Sequence, residues 1–346
     1  MSGFSTNSLL KWLIIVSLSL FLLKAGAVLF IPMLYGLLVA FVMYPFCAWV
    51  ERRGFSRSLA ITVSLLIVLS LFAGLLGILF WQATIFRQDL PDITAKIVPA
   101  LAEFRNWVQE QFSFTLQMQD EWLQRVAYDS GNKVTGLINS VFNATVQTLF
   151  MLFMIPIFTA LFLYHRQTFV RFVETVFGPA HKQKLQTILT QIVYTYSGYI
   201  KGMVLVYLSV GVLNSVGLLA LGIRHAVLFG MITAIMTIIP YVGIIISALL
   251  PISIAFVTKD SIWYPLGVIG VFAFVQYLEA NIIFPAVVGR QLNVSTWATL
   301  VAILAGGIVW GVSGMILFIP FVAILKVAAE HVPEWKALYV LLNRND

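Results

Sequence analysis

Residues 226–257 read AVLFGMITAIMTIIPYVGIIISALLPISIAFV, an apolar stretch broken near its middle by Pro240-Tyr241-Val242-Gly243. Each half is about 15 residues long. At 1.5 Å per residue a half covers roughly 22 Å, less than the roughly 30 Å hydrocarbon core of a bilayer, so a re-entrant helical hairpin fits better than two full crossings. The form recurs in residues 294–326, interrupted around Gly311 and Gly314. Interrupted helices leave backbone N–H and C=O groups that lipid cannot satisfy, and such backbone persists only where protein or a watery cavity covers it.

The rest of the chain agrees with a membrane setting. Of its 346 residues, 60% are hydrophobic and 10% charged, with a mean hydropathy of +0.96, which no soluble core of this size requires. Long apolar runs without period-2 alternation predict an all-α polytopic membrane protein and exclude a barrel of alternating strands. The net charge of +7 resides in short loops between apolar segments, which points to topology and away from nucleic acid. A lone cysteine, Cys47, offers no internal disulfide or thiol metal site. The histidines 165, 181, 225 and 331 are scattered and no HExxH motif occurs, so neither an enzyme nor a metal or cofactor is expected.

The expected order is three transmembrane helices in residues 1–81, the first retained and not a cleaved signal, then an extracytoplasmic region of two amphipathic helices at 82–143. That region holds five Lys/Arg against seven Asp/Glu and so lacks the positive excess of a cytoplasmic loop. These helices are expected to form a cap on the membrane bundle, with a partner-binding surface as the alternative. A transmembrane helix at 144–164 returns the chain to a basic, amphipathic segment at 165–197, which is expected along the cytoplasmic membrane surface. A transport core at 198–328 and a cytoplasmic tail at 329–346 complete it. The total is about six full transmembrane helices plus two broken or re-entrant hairpins, eight or more membrane segments in all.

Spacing within the core suggests duplication. Asn214, Gly222, Gly243 and Pro251 are separated by 8, 21 and 8 positions, while Asn281, Gly289, Gly311 and Pro320 are separated by 8, 22 and 9. Arg224 and Arg290 follow the first glycine of each set. Two repeats, 198–257 and 262–328, would have opposite topology, and short broken segments at matching places in inverted halves point to a transporter's binding site.

Within QYLEANIIFPAVVGRQLN, residues 276–293, Glu279 is the only carboxylate placed inside a span. An acid at the centre of a spanning helix costs roughly 2.5–3.5 kcal/mol on insertion scales, so ion or proton work is the default reading. One acid can bind a proton and a cation in turn, the minimum for exchange. Gln276, Asn214 and Asn281 could add oxygen ligands or bond a polyol, with Pro240, Gly243, Pro285, Gly289, Arg290 and Gly311 shaping the pathway. The competing reading makes Glu279 a buried partner of Lys201 with no transport role. The same segments also suit a passive channel assembled across an oligomer, or a structural scaffold acting through the outer helices.

FIPMLYGLLVAFVMYPFCAWVERRG, GYIKG, IIPYVG, QYLEANIIFPAVVGRQL and AGGIVWGVSGMILFIPFVAILK together resemble the autoinducer-2 exporter (PerM-like) family of bacterial permeases over nearly the whole chain. The resemblance implies a multi-pass inner-membrane protein with both termini cytoplasmic and a homo-oligomeric assembly in lipid. It implies export of a quorum-signal-like metabolite or exchange of a monovalent cation for protons. Glu279 and Asn281 fall in the family's Gln-x-x-Glu/Asp-x-Asn stretch, Pro285 and Gly289 in its Pro-x-x-x-Gly, and Pro240 and Gly243 in its Ile-Pro-Tyr-Val-Gly. The chain departs from the family's pattern at Ile244, Ser247 and the Ser295–Thr296 position, which weakens transfer of a substrate.

Overall fold

The computed structural model describes residues 6–112, 117, 150–178, 182–240, 242–259, 261–288 and 293–344, and within them the chain is helical without a named strand. Helix α1 (Thr6–Ala25) and α2 (Ala27–Arg52) are divided at Gly26, and α3 spans Arg57–Phe112. At 56 residues α3 is about 84 Å long, far more than a bilayer requires. The third span and the first expected outer helix are therefore one element. Nothing helix-breaking enough lies at the expected boundary near residue 81, and the amphipathic stretch is the far end of the same rod. The second outer helix expected near residues 134–142 lies outside the described residues.

Helix α4 (Phe150–Tyr164) meets α5 (Arg166–Phe177) at a bend of 66°. Across that bend the Arg166 guanidinium is paired with the Glu51 carboxylate at the end of α2, and Arg57 donates to the Tyr164 carbonyl at 3.2 Å. Ends of α2, α3 and α4 are thereby tied at one level. Phe169, Phe172, Val176 and Phe177 on α5 stay exposed.

The core helices follow: α6 (Lys182–Ala220), α7 (Ala226–Met236), α8 (Val242–Thr258), α9 (Trp263–Leu278), a π-helical turn (Glu279–Ile283), α10 (Phe284–Val287), α11 (Thr296–His331) and α12 (Lys336–Leu342). Among the described residues, five helices are long and apolar enough to cross a membrane, or six if α4 and α5 count as one bent span. Length alone admits α11 among them, but its backbone does not run straight. Gly311 adopts φ 59° and ψ −138°, a region open in practice only to glycine, and Trp310 is also non-helical. Beyond this break the chain doubles back, so that the backbone of Gly306 packs directly on that of Gly314. Residues eight apart in a straight helix would stand about 12 Å apart. α11 is thus two antiparallel arms.

Helices α7 and α8 fold back likewise. Pro240 stands in the turn between them, and the buried Gly243 packs on the Met236 carbonyl. At the open end, Gly222 lies against Lys259: a Cβ on the glycine would be 3.3 Å from the lysine Nζ. The start of α7 and the end of α8 are therefore neighbours.

Candidate functional site

Two glycines fix how α6 meets α9 and α10. Gly202 packs on the Val287 carbonyl and Gly217 on the Val271 side chain, so the helices run antiparallel with residues near 287 opposite 202 and near 271 opposite 217. Interpolation sets Glu279 opposite Ser209 and Val210. Asn214 is then about one turn, or roughly 6 Å, along α6 from the level of Glu279.

Orientation follows from helical period. Val268, Phe272 and Val275 are the buried stripe of α9, and Glu279 continues their spacing of 4, 3 and 4, which places its carboxylate on the packed face. It is half-buried, and its Oε2 is fully covered with no hydrogen-bond partner. Asn214 is completely buried. Its amide donates to the Val210 carbonyl at 2.9 Å, leaving Oδ1 covered and unpartnered. Buried acceptors are ordinarily satisfied, so two such oxygens on one helix seam ask for a donor: a water, an ion or a ligand.

Glu279 also opens the π-helical turn, where Phe284 N–H reaches back five residues to the Glu279 carbonyl. Pro285, with no N–H of its own, follows immediately. π-turns of this kind are rare and gather at functional sites because the extra residue loosens backbone pairing. The turn carries no sequence signature beyond the nearby proline.

Other expected site residues divide. Gln276 and Pro240 are half-buried, Gly243 is buried at the first hairpin's turn and Gly311 forms the second. Asn281 does not join Glu279: two residues on, it lies about 200° around the helix, is exposed, and donates to the Tyr277 carbonyl at 2.9 Å. Pro285 is exposed as well, and Gly289 and Arg290 lie outside the described residues. Lys201 is exposed and makes no ion pair with Glu279; the ion pairs among the described residues are Arg166–Glu51 and Lys182–Glu174. The reason is register, since neighbouring Gly202 lies opposite Val287, two turns beyond the acid.

Tyrosines complete the surroundings. Tyr196, Tyr199 and Tyr207 precede Asn214 on one stripe of α6, and Tyr207 is within electrostatic reach of Glu279. Tyr196 and Tyr199 sit in the core with Val210, Val275 and Leu317, against which Tyr35, Tyr207, Ile283 and Trp310 pack. The Trp310 indole, at the turn of α11, donates to the Leu23 carbonyl at 2.9 Å. Spacings of 3, 8 and 7 between these tyrosines and Asn214 are the signal by which the polar stripe could have been found in sequence.

A multi-pass α-helical membrane protein with two folded-back hairpins, and with an acid and an amide whose acceptors are unmet along the seam of α6, belongs to the class of membrane transport proteins. The profile described as AI-2E family transporter matches residues 11–334, and the chain belongs to that family. It is 25% identical to "Putative transport protein YueF" of Bacillus subtilis over 86% of this chain and 82% of that protein. It is 26% identical to the like-named YhhT of Escherichia coli K12 over 92% of this chain and 89% of YhhT. To "AI-2 transport protein TqsA" of the same organism it is 24% identical over 93% and 91%.

Proposed function

We propose that this chain is a secondary transporter of the bacterial inner membrane with both termini cytoplasmic. It moves a small donor-bearing solute, or exchanges a monovalent cation for protons, with Glu279 as the coupling group. The observation that carries the reading is the covered, unpartnered Oε2 of Glu279 on the face toward α6, with the equally unpartnered Oδ1 of Asn214 about a turn away. Both accept and neither donates. A proton, a cation or the hydroxyls of a polyol meet that demand, and an anion does not. TqsA's name supports a quorum-signal-like metabolite as the solute.

Alternating access follows if 198–257 and 262–328 are inverted repeats. In support, Gly243 and Gly311 hold the two turns, and Pro251 and Pro320 are both buried in second arms. The open end of α7–α8 lies at the start of α9 and that of α11 follows α10 in the chain, which supports hairpins that dip from opposite faces. The exposed membrane faces leave room for identical subunits in a homo-oligomer. The site is asymmetric: Val212, the counterpart of Glu279 in the first repeat, is exposed and carries no charge.

Reconstitution into liposomes with an internal pH dye tests the reading, adding Na⁺, Li⁺, K⁺ and furanosyl or polyol solutes in turn. A proton movement driven by one of them is expected; flux that merely follows the solute gradient would make the protein a passive channel. In the same assay Asn214→Leu should lower transport about tenfold or more, since a lost hydrogen bond to a charged group is worth about 1.5–3 kcal/mol. Its unfolding temperature should hold or rise, because an apolar side chain of similar size replaces an amide with an unmet oxygen.

A further inference from the structure

The approach to the second hairpin is stitched to the end of the chain by main-chain bonds. Val294 and Asn343 form an antiparallel bridge, flanked by Ser295 N–H donating to the Leu342 carbonyl at 2.8 Å and Arg344 N–H donating to the Asn293 carbonyl at 3.2 Å. The Ser295 hydroxyl serves both sides of this seam. It accepts the Ala298 N–H at 3.3 Å as the cap of the first arm, and donates to the Leu341 carbonyl at 3.1 Å. Leu342 is the buried residue of α12, and beneath it Lys326 of the second arm, 6% exposed, places its Nζ 5.9 Å from the centre of the Tyr339 ring.

The hairpin is therefore closed at both ends. Its arms are joined covalently at Gly311, held together by the Gly306–Gly314 backbone contact, and tied at the mouth by α12 acting through residues 293–295. The first hairpin has no such main-chain tie among the described residues; its mouth closes through side chains, Lys259 over Gly222 and Ile223 and Ala226 in one apolar cluster with Ile254 and Ala255. The geometry points to α12 as a strap that makes the second hairpin and the tail one rigid body, so that any movement of this hairpin carries the C-terminus along and the arms do not part. Only the transport readout below rests on the function proposed above.

The bridge itself supplies the test. Val294 and Asn343 are a pair without mutual hydrogen bonds, the arrangement in which facing Cα atoms come to about 4.5 Å, within disulfide range. In the full chain with Cys47→Ala, Val294→Cys and Asn343→Cys should cross-link readily in lipid nanodiscs. Hydrogen exchange of residues 296–331 should not change, nor should transport in liposomes. A second protein, ending at Val332 or, should that fail to accumulate, carrying Leu342→Asp, should exchange residues 296–309 at least about tenfold faster. Two results would overturn the strap. One is a cross-linked protein that no longer transports, because the tail must then leave the hairpin during the cycle. The other is a truncated or Leu342→Asp protein with unchanged exchange, because α12 then holds nothing. Should the unmodified protein show no transport at all, the exchange comparison still decides.

Discussion

Glu279→Gln lowers coupled transport by about 10- to 100-fold, while yield and unfolding temperature hold or rise. The substitution keeps size and a hydrogen-bonding carbonyl but removes the charge and the titration. A bond to a charged group is worth about 1.5–3 kcal/mol, and each 1.4 kcal/mol is a factor of ten, which sets the range. Stability should not fall, because the carboxylate has no cationic partner to lose: Lys201 is exposed and not paired with it. A half-buried acid without a counter-ion costs folding energy, and its neutral isostere costs less. Unchanged proton-coupled flux in Glu279→Gln with normal yield would remove Glu279 from the mechanism.

Gly314→Val unfolds the second hairpin, with a loss of about 3 kcal/mol or more in stability and no transport. A Cβ at Gly314 meets the Gly306 backbone, and one at Gly306 meets the Gly314 backbone, so no flexible side chain can yield. Overpacked sites ordinarily cost about 1–3 kcal/mol, and a clash of main chain against main chain belongs at the upper end. Gly307→Ala is the control: its Cβ meets the Met315 side chain, whose terminal methyl can swing away. Thermal unfolding in detergent should separate the two variants clearly. Equal stability of Gly314→Val and Gly307→Ala would mean that the arms of α11 do not touch.

The sequence was readable wherever it carried punctuation or an exception to its composition. Pro240 and Gly243 mark one reversal and Gly311 the other, because proline and glycine break a helix by their own covalent structure. Glu279 stood out as a lone charge in apolar surroundings. What depends on direction was harder: Asn281 is two positions from Glu279 in the chain and on the opposite side of the helix. The pairing of Glu279 with Lys201 failed for a similar reason, since helix register is set by where Gly202 and Gly217 permit close approach. The far end of α3 was hidden because an amphipathic stretch reads the same whether it begins a new helix or prolongs an old one. Nothing local announces the tail seam, which joins residues 293–295 to 341–344 through main-chain groups that every residue type possesses.

The fold rests on two folded-back hairpins, and the proposed mechanism on their dipping from opposite faces of the membrane. Single cysteines at Ala220, Ile262, Thr296 and Glu334, each exposed and each introduced with Cys47→Ala, can be labelled in sealed vesicles by a membrane-impermeant maleimide. Positions 220 and 262 should react from one face, and 296 and 334 from the other. Labelling of 220 and 262 from opposite faces, or of 296 and 334 from opposite faces, would mean that a hairpin crosses the membrane, and the arrangement of opposed hairpins would be wrong.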